Sequence, residues 1–208
     1  MKRPFMTLLI STIGALALIG GVSTSASAST LIPSATKAPA TQACWDDAAT
    51  GQSACADSQP ALALKLLNDY NVVLEGEVPS ALKAPAAALS ARAAARTTAL
   101  TSNYLMATWY DGDAYTGDSW AHTTSATSNP CPSPGSYTYG DIPNLVTFIP
   151  LSGGWSDRIS SYQGYNHCSL RLWLDVNFSG SSYGPVKYAP NLGAFNNQAS
   201  SLDVQYVK

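Results

Sequence analysis

"TWYDGDAYTGDSW" (residues 108–120) and "LWLDVNFSGSSY" (172–183) are the stretches on which the fold turns. Laid together so that Gly117 meets Gly180, they bring Tyr115 onto Phe178, Tyr110 onto Trp173, Ser119 onto Ser182 and Trp120 onto Tyr183. Further along, "DIPNL" (141–145) meets "YAPNL" (188–192) on Pro143 and Pro190, and Trp155 meets Phe195. The two halves end on related phrases, "GWSDRISS" (154–161) and "AFNNQASS" (194–201). Shared elements in the same order define an internal duplication. The first copy is longer, by insertions around Ala121–Gly135 and Val146–Gly153. From Thr101 onward, aromatic residues crowd into short runs punctuated by Gly, Pro, Asn and Asp, which predicts short strands joined by tight turns in a sandwich or barrel.

Upstream of the duplication the texture differs. Residues 1–28 open on "MKR", continue through an apolar run and close on Ala26, Ser27 and Ala28, the pattern of a secretory signal peptide cleaved after Ala28. No later stretch is apolar enough to span a bilayer. Residues 29–56 read as a Pro/Ala/Thr linker followed by a small disulfide loop. Residues 57–100 read as helical: Ser58 caps a run in which Leu62, Leu66, Leu67, Tyr70 and Val73 recur at helical spacing. Pro79 and Ser80 mark a break, and a second Ala-rich run carries Leu82, Leu89 and Leu100 with Arg92 and Arg96 four apart. Pro85 interrupts that run, so both helices need a partner surface. This region is either a hairpin leaning on the domain at 101–208 or a removable pro-segment.

Charge and cysteine usage limit the chemistry. The full chain has a formal net charge of −2, and loss of Lys2 and Arg3 with the leader would make it more acidic, so nucleic acid is not an expected partner. The four cysteines, Cys44, Cys55, Cys131 and Cys168, are an even number in an exported chain, which favours disulfides. Three pairings are possible; Cys44 with Cys55 and Cys131 with Cys168 keep each bridge within one region. Their spacing matches no zinc finger. His122 and His167 are the only histidines, and neither sits in a recognisable nucleophile or metal motif, so the chain reads as a non-enzyme. Asp111 with Asp113 could act on sugars, but Asp-Gly-Asp is also ordinary hairpin chemistry.

An aromatic, an aromatic-x-Gly turn, a later Leu and a closing (N/D)-(N/D)-x-x-(S/T)-S phrase, present twice, resemble the βγ-crystallin Greek key. The resemblance covers roughly residues 101–208. It implies a mainly β fold, two Greek-key motifs forming a sandwich, preceded by the short helical N-terminal region. In microbial members of that family the closing phrase often binds calcium through hard oxygens. Carried over, the resemblance implies ligands at the carbonyls of Arg158 and Gln198 and the hydroxyls of Ser160 and Ser200, with Asp157 and Asn197 ligating or bracing the loop. Oxygens near Asp111, Asp113 and Asp175, on the other copy's folded hairpin, would complete each site. "NNQASS" matches the motif fully, whereas "SDRISS" has Ser156 at its first position. The alternative is that the serines only brace the turns.

Secreted proteins resembling this one include metallopeptidase inhibitors and killer-toxin-like antimicrobial proteins. The expected function is therefore a secreted, monomeric, non-enzymatic binding protein, calcium-stabilised, acting on a secreted protease or a cell-surface target. The insertion "AHTTSATSNPCPSPGS" (121–136), stiffened by Pro130, Pro132 and Pro134 and pinned by Cys131, is the candidate inhibitory loop. A structural, stress or cell-wall-associated calcium-binding protein is the other class.

Overall fold

The computed structural model describes residues 41–95, 99–125, 129–134, 140–148 and 154–208. The expected signal peptide, residues 29–40 of the linker, Arg96, and part of the 121–136 insertion lie outside the described residues.

Each copy opens with a hairpin whose turn folds back over the sheet. The first joins β4 (Thr101–Gly112) to β5 (Thr116–Thr124), and the second joins β7 (Cys168–Asp175) to β8 (Ser179–Val186). Both turns place two successive non-glycine residues in the left-handed region, Ala114 and Tyr115 in one copy and Asn177 and Phe178 in the other. Gly117 (φ +82°) and Gly180 (φ +77°) follow in each. A Cβ at these glycines would lie 2.1 Å from an Asp111 carboxylate oxygen and 2.4 Å from one of Asp175, so the turn admits no side chain there. Each folded turn docks on the other copy: the Ala114 amide donates to the Pro190 carbonyl at 2.7 Å, and the Asn177 amide to that of Pro143 at 2.7 Å. Positions matched in sequence thus make matched contacts in space.

The copies exchange their third strands. β9 (Tyr188–Ala189), from the second copy, pairs with β6 (Ser161–Gly164) of the first. In return Ile142 bridges Leu202 on β10 (Ser201–Tyr206) of the second. One sheet has the order β10-β7-β8. The larger contains β5-β4-β6-β9 and is extended by three strands from upstream. These are β1 (Ala43–Asp47), which runs parallel to β5, β2 (Ser53–Ala56), antiparallel to β1, and β3 (Val72–Glu75), parallel to β4.

Helices α1 (Gln59–Lys65) and α2 (Ala86–Ala95) lie upstream of residue 101, within the stretch read as helical, and they follow β1 and β2. Ser58 caps α1 as expected, its hydroxyl accepting the Ala61 amide at 3.3 Å. The helical run ends sooner than its apolar spacing suggests: a wider turn, Leu66–Tyr70, stops at Asn71 in the left-handed conformation, and Val73 lies in β3. Pro85 precedes α2 and does not break it. Arg92 ties α2 to the end of the first helical run through the Leu67 carbonyl and the Asn71 side chain.

Disulfides join Cys44 to Cys55, directly opposite each other on β1 and β2, and Cys131 to Cys168, at the start of β7. Between the sheets, Trp109 stacks on Trp120 with centroids 6.3 Å apart, and Trp155 meets both edge-on. A second cluster, around Trp45, Leu62, Leu66 and Leu105, packs the upstream strands and α1 onto the larger sheet. Burial of this apolar surface drives both associations.

Candidate functional site

The closing phrases of the two copies meet across the pseudo-twofold relation of the sandwich. Asp157 and Asn197, at the second motif position, both adopt φ +56°. The Asp157 amide donates to the Ala199 carbonyl at 2.9 Å, and the Asn197 amide donates to the Ile159 carbonyl at 3.0 Å. Each loop closes the other.

The final serine of each phrase is structural. Ser161 donates to the Gly112 carbonyl at 2.6 Å and accepts the Tyr115 amide at 3.0 Å. Ser201 donates to the Asp175 carbonyl at 2.6 Å and accepts the Phe178 amide at 3.0 Å. Both are fully buried beneath the folded turns, whose left-handed residues have no strand partner for their amides.

The penultimate serine sits in a different setting. The Ser160 hydroxyl lies 3.0 Å from the Asp111 carbonyl and 2.9 Å from Asn197 Oδ1. It has one hydrogen and, with the amide so oriented, two acceptor oxygens around it. Ser160 thus meets the hairpin of its own copy and the phrase of the other. Asp113 instead accepts from the Asn191 amide group at 2.8 Å, and Asp175 contributes its carbonyl to Ser201.

Arg158 fills the space beside this oxygen cluster. Its guanidinium lies 2.8 Å from Asp111 Oδ2 and 3.0 Å from Asp118 Oδ2, and stacks over Trp155 at 4.7 Å. Those carboxylates are otherwise engaged by backbone amides, Asp111 by that of Asp118 and Asp118 by that of Gln42, each at 2.7 Å. In the second copy Gln198 replaces Arg158, and Leu174 and Ser181 replace Asp111 and Asp118. The fixed cation and its acidic partners belong to the first copy alone. Asp157 corresponds to Asn197; its amide meets the Ala199 carbonyl, next to Ser200, and its carboxylate accepts from the Ser156 hydroxyl at 3.3 Å. Among the described residues no three His, Cys, Asp or Glu side chains gather as a metal cage, so any cation here rests mainly on carbonyl, hydroxyl and amide oxygens.

His122 is a clip. It is 1 % exposed on β5, with Nδ1 at 2.8 and 2.9 Å from the Asp46 carboxylate oxygens and Nε2 at 3.1 Å from the Gly140 carbonyl. Both ring nitrogens face acceptors, which the imidazolium alone can satisfy. Burial pushes its pKa down, but the Asp46 charge and hydrogen bond, with help from Gly140 and Asp141, outweigh it and hold the net shift upward. Sequence reasoning missed this pair, because its members are far apart in the chain. His167 Nδ1 pairs with the Asn129 side chain at 3.0 Å, beside the Cys131–Cys168 bridge.

The candidate inhibitory insertion is shorter than its sequence suggests. Ala121, His122, Thr123 and Thr124 are buried strand residues of β5, and the described part of the loop is 125 with 129–134. No helix among the described residues is long and apolar enough to cross a membrane.

No family model matches this chain, and no curated protein matches it. Solved structures do. The N-terminal domain of Protein S is 22 % identical over 49 % of this chain and 97 % of its own length, with a TM-score of 0.35. A βγ-crystallin domain from Flavobacterium johnsoniae is 26 % identical over 49 % of this chain and 94 % of its own, with a TM-score of 0.34. One from Clostridium beijerinckii is 19 % identical over 48 % and 97 %, with a TM-score of 0.33. The fold is mainly β and βγ-crystallin-like. Strand exchange and folded turns within the chain itself make it so.

Proposed function

We propose that this is an exported, non-enzymatic, crystallin-like binding protein stabilised by one calcium ion, held at the Ser200 phrase. The observation that carries this reading is the asymmetry between the copies. Beside Ser160 a guanidinium already neutralises the acidic pair, whereas at the matching positions of the second set Gln198 replaces that arginine and Asp157 stands where the first set has Asn197. By the pseudo-symmetry, the Gln198 carbonyl, the Ser200 hydroxyl and Asp157 would hold the ion. Calcium would supply a charge that draws these oxygens together; the chain supplies their order. The corresponding first set, Arg158, Ser160 and Asn197, does not fit a second ion, because Arg158 would repel it. Calcium should raise the melting temperature of the purified protein, since a ligand binding only the folded state adds stability. An unchanged melting temperature at millimolar calcium would overturn this reading.

Two disulfides fit an oxidising compartment. Residues 41–95 remain with the domain in this proposal, because their removal would strip β1 and β3 from the larger sheet. Peptidase inhibition is a second reading, favoured by the anchoring of the 129–134 segment through Cys131–Cys168 and Asn129–His167. A preorganised loop loses little entropy on binding. Inhibition assays against secreted metallo- and serine peptidases decide it: inhibition lost when Asn129–Pro134 is replaced by a Gly/Ser loop supports it, and no inhibition by the parent excludes it.

A further inference from the structure

We infer that the outer face of the larger sheet, where the upstream segment walls it, is a binding groove for a neutral oligosaccharide. Two cavities line up there. One, of about 260 Å³, is bounded by Gln42, Gln59, Ala81, Tyr110, Tyr115 and Ser119. The other, of about 440 Å³, is bounded by Glu77, Pro79, Lys83, Gln163, Tyr165 and Tyr188.

One polar network joins them. Gln59 Nε2 donates to Ser119 Oγ at 3.3 Å and to the Tyr110 hydroxyl at 3.4 Å. Tyr110 in turn donates to Gln163 Oε1 at 3.4 Å, which also accepts from the Tyr165 hydroxyl at 2.7 Å. Tyr115 packs on Tyr110 with centroids 5.8 Å apart. Phenol, hydroxyl and carboxamide groups both donate and accept, as do the hydroxyls of a sugar. The lining carries one charge of each sign, Lys83 and Glu77, so nothing in it selects an ionic ligand.

Tyr188 supplies the stacking surface. It is 56 % exposed, yet it is held in place: Lys187 Nζ lies 5.6 Å over its ring, and Glu77 holds that ammonium at 2.9 Å. A cation on one face leaves the other for an apolar sugar face, and a ring already fixed loses little entropy on binding.

The duplication serves as an internal control. At the positions of Tyr110, Tyr115, Gln163, Tyr165 and Tyr188 the other copy has Trp173, Phe178, Asp203, Gln205 and Asp141. There Trp173 Nε1 bonds Asp203 at 3.2 Å and Arg171 bonds Gln205 at 2.9 Å. The other copy keeps its Greek key without the tyrosine–glutamine set, so the Greek key itself does not demand that set. It stands on the face that Gln59 and the turn Ser80–Leu82 wall in.

The test is titration calorimetry of the purified protein with chitohexaose and cellohexaose, alongside retention on insoluble chitin and cellulose. Binding to at least one probe is expected, weakened tenfold or more by Tyr188→Ala, with a melting temperature close to the parent's, and by Gln163→Leu, which also lowers the melting temperature because it strands the Tyr110 and Tyr165 hydroxyls. Tyr188→Ala is the safer variant, because its ring is exposed. Val176→Ser, on an exposed turn outside the groove, should bind as the parent does. Chelating calcium should leave sugar binding intact in the folded protein, which separates this site from the proposed cation site. Failure of both probes and both polymers, or binding undiminished in Tyr188→Ala, overturns the groove.

Discussion

Ser161 donates to the Gly112 carbonyl at 2.6 Å from the far end of its Greek key, so the closing phrase of the copy locks the turn that opens it. Ser201 makes the same bond to Asp175. Ser161→Ala and Ser201→Ala each strand a turn amide and a carbonyl under buried cover, and each should cost about 1–3 kcal/mol. Urea unfolding of the two variants checks this, with similar losses expected because the two settings match.

The His122–Asp46 clip should make stability depend on pH in a definite direction. A histidine whose folded pKa lies above its unfolded value contributes fully below the unfolded value, near 6.5, and loses that contribution as pH rises through the folded pKa. The melting temperature of the parent should therefore exceed that of His122→Gln by more at pH 5.5 than at pH 9.5. Groups facing the ring include Asp46, Asp141 and the Gly140 carbonyl, so Asp46→Asn should abolish most of the same difference. A gap that widens with rising pH would contradict the imidazolium assignment.

Arg158 stands in for a cation. Its ion pairs are roughly a quarter to a third exposed, so Arg158→Gln should cost only about 1 kcal/mol of stability. It should also free Asp111 and Asp118 and let calcium enter beside Ser160, raising the bound calcium from one to two per chain. Stoichiometry measured by equilibrium dialysis checks this.

Much of the crystallin-like sandwich was legible in the sequence because its signals are local. Gly117 and Gly180 mark turns that exclude a Cβ, and Pro143 and Pro190 fall at matched docking points. The upstream strands were not legible. β1 is "ACWDD", buried along its whole length, and its aspartates look exposed until their distant partners are known: Asp46 meets His122, and Asp47 accepts the Ser125 amide at 3.0 Å. Parallel pairing leaves no hairpin signal, and Val73 falls in helical register by spacing alone. At the candidate site the serines and the weaker first phrase could be read directly, but Arg158 reaching Asp111 and Asp118 could not, because the acidic pair is formed by the folded turn.

The Cys131–Cys168 bridge ties the shortened loop to the second copy's first strand across 37 residues. Replacing both cysteines by serine should cost about 2–4 kcal/mol. Thermal unfolding under matched conditions checks this, and the Cys44–Cys55 bridge, closing 11 residues, should cost less when removed.

Isothermal titration of the purified protein with calcium counts the cations that the two closing phrases hold. One site per chain is expected, retained in Ser160→Ala and lost in Ser200→Ala while that variant still melts cooperatively. Two equivalent sites, no site at millimolar calcium, or loss of binding in Ser160→Ala with retention in Ser200→Ala would contradict it.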